Sequence, residues 1–167
     1  VGVAGVGGFT PVDLDKLLAG RIANASPFVT TYTHGISGGS TPKDLETALQ
    51  LAYLHFTAPN HDPAAFALLT RRLEANLANQ AQSPGAAFGE RIRAINTMDH
   101  YSVRPMQVED VSHLSADRMG AYYDARFRNA ADFTFFFVGA FTIDSITPVI
   151  ETYIASLPST GRAEAEA

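Results

Sequence analysis

The chain has 167 residues, 46% apolar and 17% charged, which suits one ordinary domain that buries about two thirds of its unfolded surface. It has no cysteine, which excludes disulfides, thiolate metal sites and cysteine nucleophiles. Its formal net charge of −5 argues against a nucleic-acid binder, which needs a basic stripe to displace condensed counterions.

Residues 1–9 are a glycine-rich lead-in, too short to span a bilayer and without the basic start of a signal peptide. No strand precedes these glycines and their spacing misses G-x-G-x-x-G, so a dinucleotide loop does not fit. Without an initiating Met, the chain reads as a piece of a longer polypeptide, which leaves the compartment of that polypeptide open. Thr10-Pro11-Val12-Asp13 then reads as an N-cap, a first-position proline and a first-turn acid, opening a short helix that Gly20 stops.

Two strand-like runs follow, Arg21 to Ser26 and Phe28 to Ile36, divided by Pro27 and expected as an antiparallel pair with a kink or edge at the proline. Gly38-Gly39-Ser40 is read as a break, after which Thr41-Pro42-Lys43-Asp44 opens a second helix. Leu45, Ala48, Leu49, Ala52 and Phe56 form its apolar stripe. Asp62-Pro63 caps a third helix with Phe66, Leu69, Leu73 and Leu77 inward. Ser83-Pro84 opens a fourth carrying Phe88, Ile92 and Ile95, and Ser115 caps a fifth through Met119, Tyr122 and Phe127. The close basic pairs Arg71-Arg72 and Arg91/Arg93 fall on solvated helical faces.

Phe133-Thr-Phe-Phe-Phe-Val-Gly139 has the aromatic and β-branched content of a strand buried on both faces. Ile146, Val149, Ile150, Tyr153 and Leu157 then recur at helical spacing up to Pro158. The expected class is α+β: a mainly antiparallel sheet with helices on one face, a two-layer sandwich. One domain is expected over 10–160, with 161–167 as tail or linker.

Few residue sets could carry chemistry. Gly35-Ile36-Ser37-Gly38-Gly39 satisfies G-x-S-x-G, but an elbow needs its helix directly after the serine, whereas Thr41-Pro42 sets the helix start later. Asp99 or Asp110 with His113 would be arbitrary partners for Ser37 in a triad. The histidines, His34, His55, His61, His100 and His113, show neither His-Glu-x-x-His nor His-x-x-Glu-His, the spacings that set two imidazoles and a carboxylate on one helical face. His34 and His55 are expected to be partly buried and hydrogen-bonded, and Glu109-Asp110 with His113 to be a helix-start charge cluster. Leu157-Pro158-Ser159-Thr160-Gly161 matches a cell-wall sorting signal but lacks the apolar span and basic end behind it.

The order of these segments resembles one domain of the pitrilysin/insulinase family of zinc peptidases. The resemblance is carried by Leu14-x-x-Leu17-Leu18-Ala19-Gly20, by Gly35 to Glu46, by Phe56-Thr57-Ala58-Pro59, by Tyr123-x-x-Arg126-Phe127, by Asp132 to Gly139 and by Tyr153-Ile154-x-x-Leu157-Pro158. It covers about Gly5 to Gly161 and looks most like the first domain of the C-terminal half of long, bacterial, often exported members. Such members have, by resemblance, four homologous α+β domains closing around a peptide, with zinc held in the first by His-x-x-Glu-His and a distal Glu.

This sequence departs from that pattern where it matters. The helix from Pro11 to Ala19 stands where the zinc helix would be, with Leu14, Asp15 and Leu18 and no histidine. The resemblance therefore implies a non-catalytic wall of the chamber, with no catalytic or metal residue of its own, zinc in the catalytic domain of the parent, and peptide-contacting residues unassigned. The implied partners are the other domains of the same polypeptide and its peptide substrate, with neither nucleic acid nor a membrane span, and the implied location is periplasmic or otherwise exported. The alternatives are an inactive homologue serving as an assembly scaffold and a serine hydrolase using Ser37.

Overall fold

A computed structural model describes residues 4–162; residues 1–3 of the lead-in and 163–167 of the expected tail lie outside the described residues. The class is α+β, but helices outweigh sheet. Nine segments are established: α1 (Pro11–Leu17), β1 (Ala23–Val29), β2 (His34–Ser40), α2 (Leu45–Thr57), α3 (Pro63–Ala81), α4 (Pro84–Asn96), α5 (Val108–Val111), α6 (Ala116–Phe127) and α7 (Ile143–Tyr153). The described residues divide into two compact units, residues 4–61 with 120–162, and residues 62–119, the division falling within α6.

Helix starts follow the local chemistry of the sequence. Thr10 closes a capping box with Asp13 ahead of Pro11, Asp62 accepts from the Ala64 N–H ahead of Pro63, and Ser83 accepts from the Ala86 N–H ahead of Pro84. Each satisfies an N–H that the first helical turn leaves without a partner. Pro42–Asp44 forms a short 3-10 turn before α2 begins at Leu45.

The sheet corrects the sequence reading in three places. β1 runs straight through Pro27, and the chain reverses at Thr30–Thr33, where the Thr30 N–H donates to the Thr33 carbonyl at 2.7 Å. Gly38, Gly39 and Ser40 belong to β2 and pair with Ala25, Asn24 and Ala23, so they extend the strand. Phe133–Gly139 joins no strand, and the sheet among the described residues has two strands, not the mainly β layer expected.

The pairing places Pro27 opposite Ile36. Thr41 N donates to Ile22 O and Thr30 N to Thr33 O, which fixes the phase of the ladder. Odd-numbered β1 residues therefore turn their backbone groups outward, and Pro27 loses nothing by having no N–H there.

In the first unit the core is small and aromatic. Phe127, 1% exposed, stacks on Tyr123 at 4.4 Å between ring centres and lies within 5.7 Å of the rings of His34 and Phe133. Leu49, Leu51 and Phe56 of α2 are buried in the same unit, as are Ile146 of α7 and Leu157 after it. Two asparagines pin loops: Asn60 donates to the carbonyls of Ala4 and Phe9, and Asn129 accepts from the Thr160 N–H. In the second unit α3 packs with α4 and α5, Val111 is buried, and Arg104 grips Asp110 at 2.9 and 3.0 Å. The predicted stripe of α4 is left exposed at Phe88, Ile92 and Ile95.

Candidate functional site

The ladder phase that sends odd-numbered β1 residues outward also turns the N–H and C=O groups of His34, Ile36, Gly38 and Ser40 to the free edge of β2. That edge borders a groove of about 1090 Å³, floored by Leu45, Ala48 and Leu49 of α2 and walled opposite by residues 133–141. Phe28 and Ile36, on opposite faces of the hairpin, both line it, so the groove wraps the edge rather than lying on one face.

The opposite wall is held in place by rings. Phe133 sits 4.9 Å from Phe56 and 5.3 Å from His34, and Phe135 sits 6.1 Å from Phe56. Phe133, Phe135 and Phe137 are half-buried while Thr134, Phe136 and Val138 are exposed, the alternation of a strand. Phe136 is 85% exposed and Val138 98%, so the expected burial on both faces is not met.

The histidines are separate, and two of them are engaged with backbone carbonyls. His34 Nε2 donates to the Arg126 carbonyl at 3.1 Å, and His55 Nε2 to the Ala25 carbonyl at 3.0 Å. His61 meets Asp124 at 3.2 Å, a carboxylate that also holds Arg128 at 2.7 Å. His100 Nδ1 faces Ser102 Oγ at 2.8 Å. Burial pushes His55 below its ordinary value, outweighing the bond to Ala25, and burial likewise pushes the Tyr123 phenol up. The Tyr123 hydroxyl donates to the His55 carbonyl at 2.9 Å.

Among the described residues no group of three or more His, Asp or Glu is placed to hold a metal ion. The side chains of the described residues therefore do not offer the three or four converging ligands that a zinc ion requires. α1 ends at Leu17, short of the expected Pro11 to Ala19; it carries Leu14 and Asp15, and Leu18 is its C-cap. Asp110 and Glu109 are at the start of α5: Asp110 accepts from the Gln107 N–H at 2.8 Å and is held below the usual carboxylate range chiefly by Arg104.

Ser37 is an exposed residue in the middle of β2, paired across the hairpin with Ser26, and the helical backbone begins only at Pro42. The glycines around it have a packing role. A Cβ at Gly35 would come to 3.0 Å from the Phe28 ring, and one at Gly38 to 2.3 Å from the Asn24 carbonyl oxygen. Pro158 and Thr160 of the sorting-like motif are tied to the turn at Asn129: Ala130 N donates to Pro158 O at 2.8 Å, and Thr160 N to Asn129 Oδ1 at 3.0 Å. No helix among the described residues is long and apolar enough to cross a membrane.

No sequence model of a known family matches the chain. A zinc protease PQQL-like protein of Arabidopsis thaliana is 26% identical over 118 residues, which are 69% of this chain and 12% of that protein. This stretch of chain is homologous to pitrilysin-family peptidases.

The fold agrees with that kinship. The periplasmic protease PqqL of Escherichia coli superposes with a TM-score of 0.76 at 21% identity, over 99% of this chain and 18% of PqqL. The ferredoxin protease FusC, solved as a point mutant in complex with Arabidopsis ferredoxin, superposes with a TM-score of 0.75 at 16% identity, over 98% of this chain and 18% of FusC. The chain thus spans under a fifth of the length of these pitrilysin-family relatives.

Sequence reasoning missed the groove. Its only signal was the length and apolar character of residues 133–139, which exceed what the partners found among the described residues cover.

Proposed function

We propose that the chain is a non-catalytic domain of a longer zinc-dependent peptidase. Its role is to form part of the wall that encloses a peptide and to join the halves of the enzyme. The observation that carries this reading is one pairing of facts. The chain has pitrilysin-family kinship over most of its length, yet α1 lacks histidine and no ligand set gathers among the described residues.

A catalytic zinc site needs three protein ligands and an open position. The described residues supply no such set, which supports the reading that the zinc and the general base lie in another domain of the parent polypeptide. The likeness to a periplasmic protease supports an exported location, and its fit to under a fifth of a much longer chain supports a place as one domain among several.

The test is to express the complete reading frame that contains residues 1–167, and residues 1–167 alone, and to assay both on a peptide mixture with and without chelator. Chelator-sensitive cleavage by the complete polypeptide and none by residues 1–167 is expected. A complete reading frame without His-x-x-Glu-His would replace this reading by an assembly scaffold.

A further inference from the structure

Three features of the first unit converge on the groove. The free edge of β2 offers the backbone groups of His34, Ile36, Gly38 and Ser40, and no strand pairs with them among the described residues. Edges of this kind are templates for another strand, and β2 has neither a lysine nor a proline to blunt its own. Facing it across about 1090 Å³ is a further stretch, Phe133 to Gly139, with strand-like alternation, anchored to α2 through Phe56.

We propose that the groove is a vacant strand position, filled in the longer polypeptide by an extended apolar segment of that same polypeptide, which pairs with β2 and completes the sheet. This rests on the reading that the chain is one domain of a longer peptidase.

The segment belongs to the same polypeptide for two reasons. The solved relatives match this chain almost end to end while more than four fifths of their own length lies elsewhere, so covalently attached chain is abundant. The groove is also built for permanent occupation. A strand placed in it has a wall on either side and the apolar floor of α2 beneath, so its backbone groups are paired and its apolar side chains buried, as in the interior of a sheet. Capture and release of a substrate would call for groups that hold a terminus or a charged side chain. Lys43, in the turn before α2, and Glu46, in the first turn of α2, are the ionised groups of the lining, and Glu46 already accepts from the Tyr153 hydroxyl at 2.8 Å. An internal strand also accounts for residues 133–139 having the composition of a doubly buried strand while standing alone here.

Backbone amide hydrogen exchange tests this, because the ladder phase divides β2 into two sets. In residues 1–167 alone, the amides of Gly35, Ser37 and Gly39 face β1 and are protected, whereas those of Ile36, Gly38 and Ser40 exchange fast. In the complete polypeptide the second set is expected to slow by roughly 100-fold or more. Equal exchange of Ile36, Gly38 and Ser40 in the two proteins overturns the proposal. So does protection that appears only when a substrate peptide is added, protection that depends on protein concentration, or a reading frame that adds no chain to these residues. Peptidase activity is read separately: a protected edge in a polypeptide without chelator-sensitive cleavage would sink the peptidase reading and leave the strand standing.

Discussion

The Nε2–H of His55 donates to the carbonyl of Ala25 at 3.0 Å, and so satisfies from α2 one backbone group on the outer edge of β1. His55 is 6% exposed, and its Nδ1 is buried without a hydrogen-bond partner. The neutral ring suits that setting, with a bare nitrogen at Nδ1, whereas an imidazolium would bury a second donor unpaired. Burial holds its pKa below the ordinary 6.5. The unfolded chain then takes up a proton that the folded chain refuses, so the contribution of His55 is complete above 6.5 and is lost as pH falls from there through the folded value. Denaturant titrations between about pH 7.5 and 5 should show falling stability, and His55→Leu should flatten that slope while costing about 1–3 kcal/mol at the upper end. A wild-type profile that is level across this range would contradict the assignment.

A second acid limb is expected from Asp44. Its Oδ2 accepts from the Thr41 hydroxyl at 2.6 Å and from the Ile22 N–H at 3.0 Å, tying the entry to β1 and the exit from β2 to the start of α2. The Thr41 hydroxyl first, then the Ile22 N–H, hold its carboxyl below the usual 3.8. For a lowered carboxylate the stabilisation is present above 3.8 and disappears as pH falls through the folded value. Asp44→Asn should remove this lower limb and leave the His55 limb in place. Unfolding followed by circular dichroism across both ranges separates them.

Core and surface aromatics should behave in opposite ways. Phe127 is enclosed by rings on several sides, and Phe127→Ala is expected to destabilise residues 1–167 by about 3–5 kcal/mol through lost transfer energy and a residual cavity. Phe136→Ala, at a largely exposed position, should change the same measurement by no more than about 0.5 kcal/mol. Urea unfolding of both variants is the check, and a large loss at Phe136 would mean that residues 133–139 are packed differently.

The glycines of β2 give a sharper test of the hairpin. Gly38→Ala drives a methyl into the Asn24 carbonyl and should force the strands apart, whereas Gly39→Ala meets nothing within 4 Å. Loss of protection at the Ser37 amide in the first variant and not in the second is the expected result of hydrogen exchange.

Much of the fold was legible because its signals are local. Thr10-Pro11, Asp62-Pro63 and Ser83-Pro84 begin helices through groups one to three residues away, and the stripe from Leu45 to Phe56 needs only a helical period. What was misread depends on distant chain. The turn lies at Thr30–Thr33 and not at Pro27, where of the expected kink or edge the pairing realises the edge. Gly38 and Gly39 looked like a break, since glycine signals a turn and close strand approach equally well. Phe133–Gly139 has strand composition, but the described residues give it no strand to pair with. The departure from His-x-x-Glu-His was readable directly in the sequence, at Leu14, Asp15 and Leu18. The groove was not, since it arises only once β2 and residues 133–141 are brought beside α2.

Metal content measured on purified residues 1–167 after equilibration with excess zinc, alongside peptide cleavage, bears most directly on the claim that this domain encloses substrate without cutting it. Substoichiometric zinc and no chelator-sensitive cleavage are expected. One tightly held zinc per chain accompanied by cleavage would contradict the account.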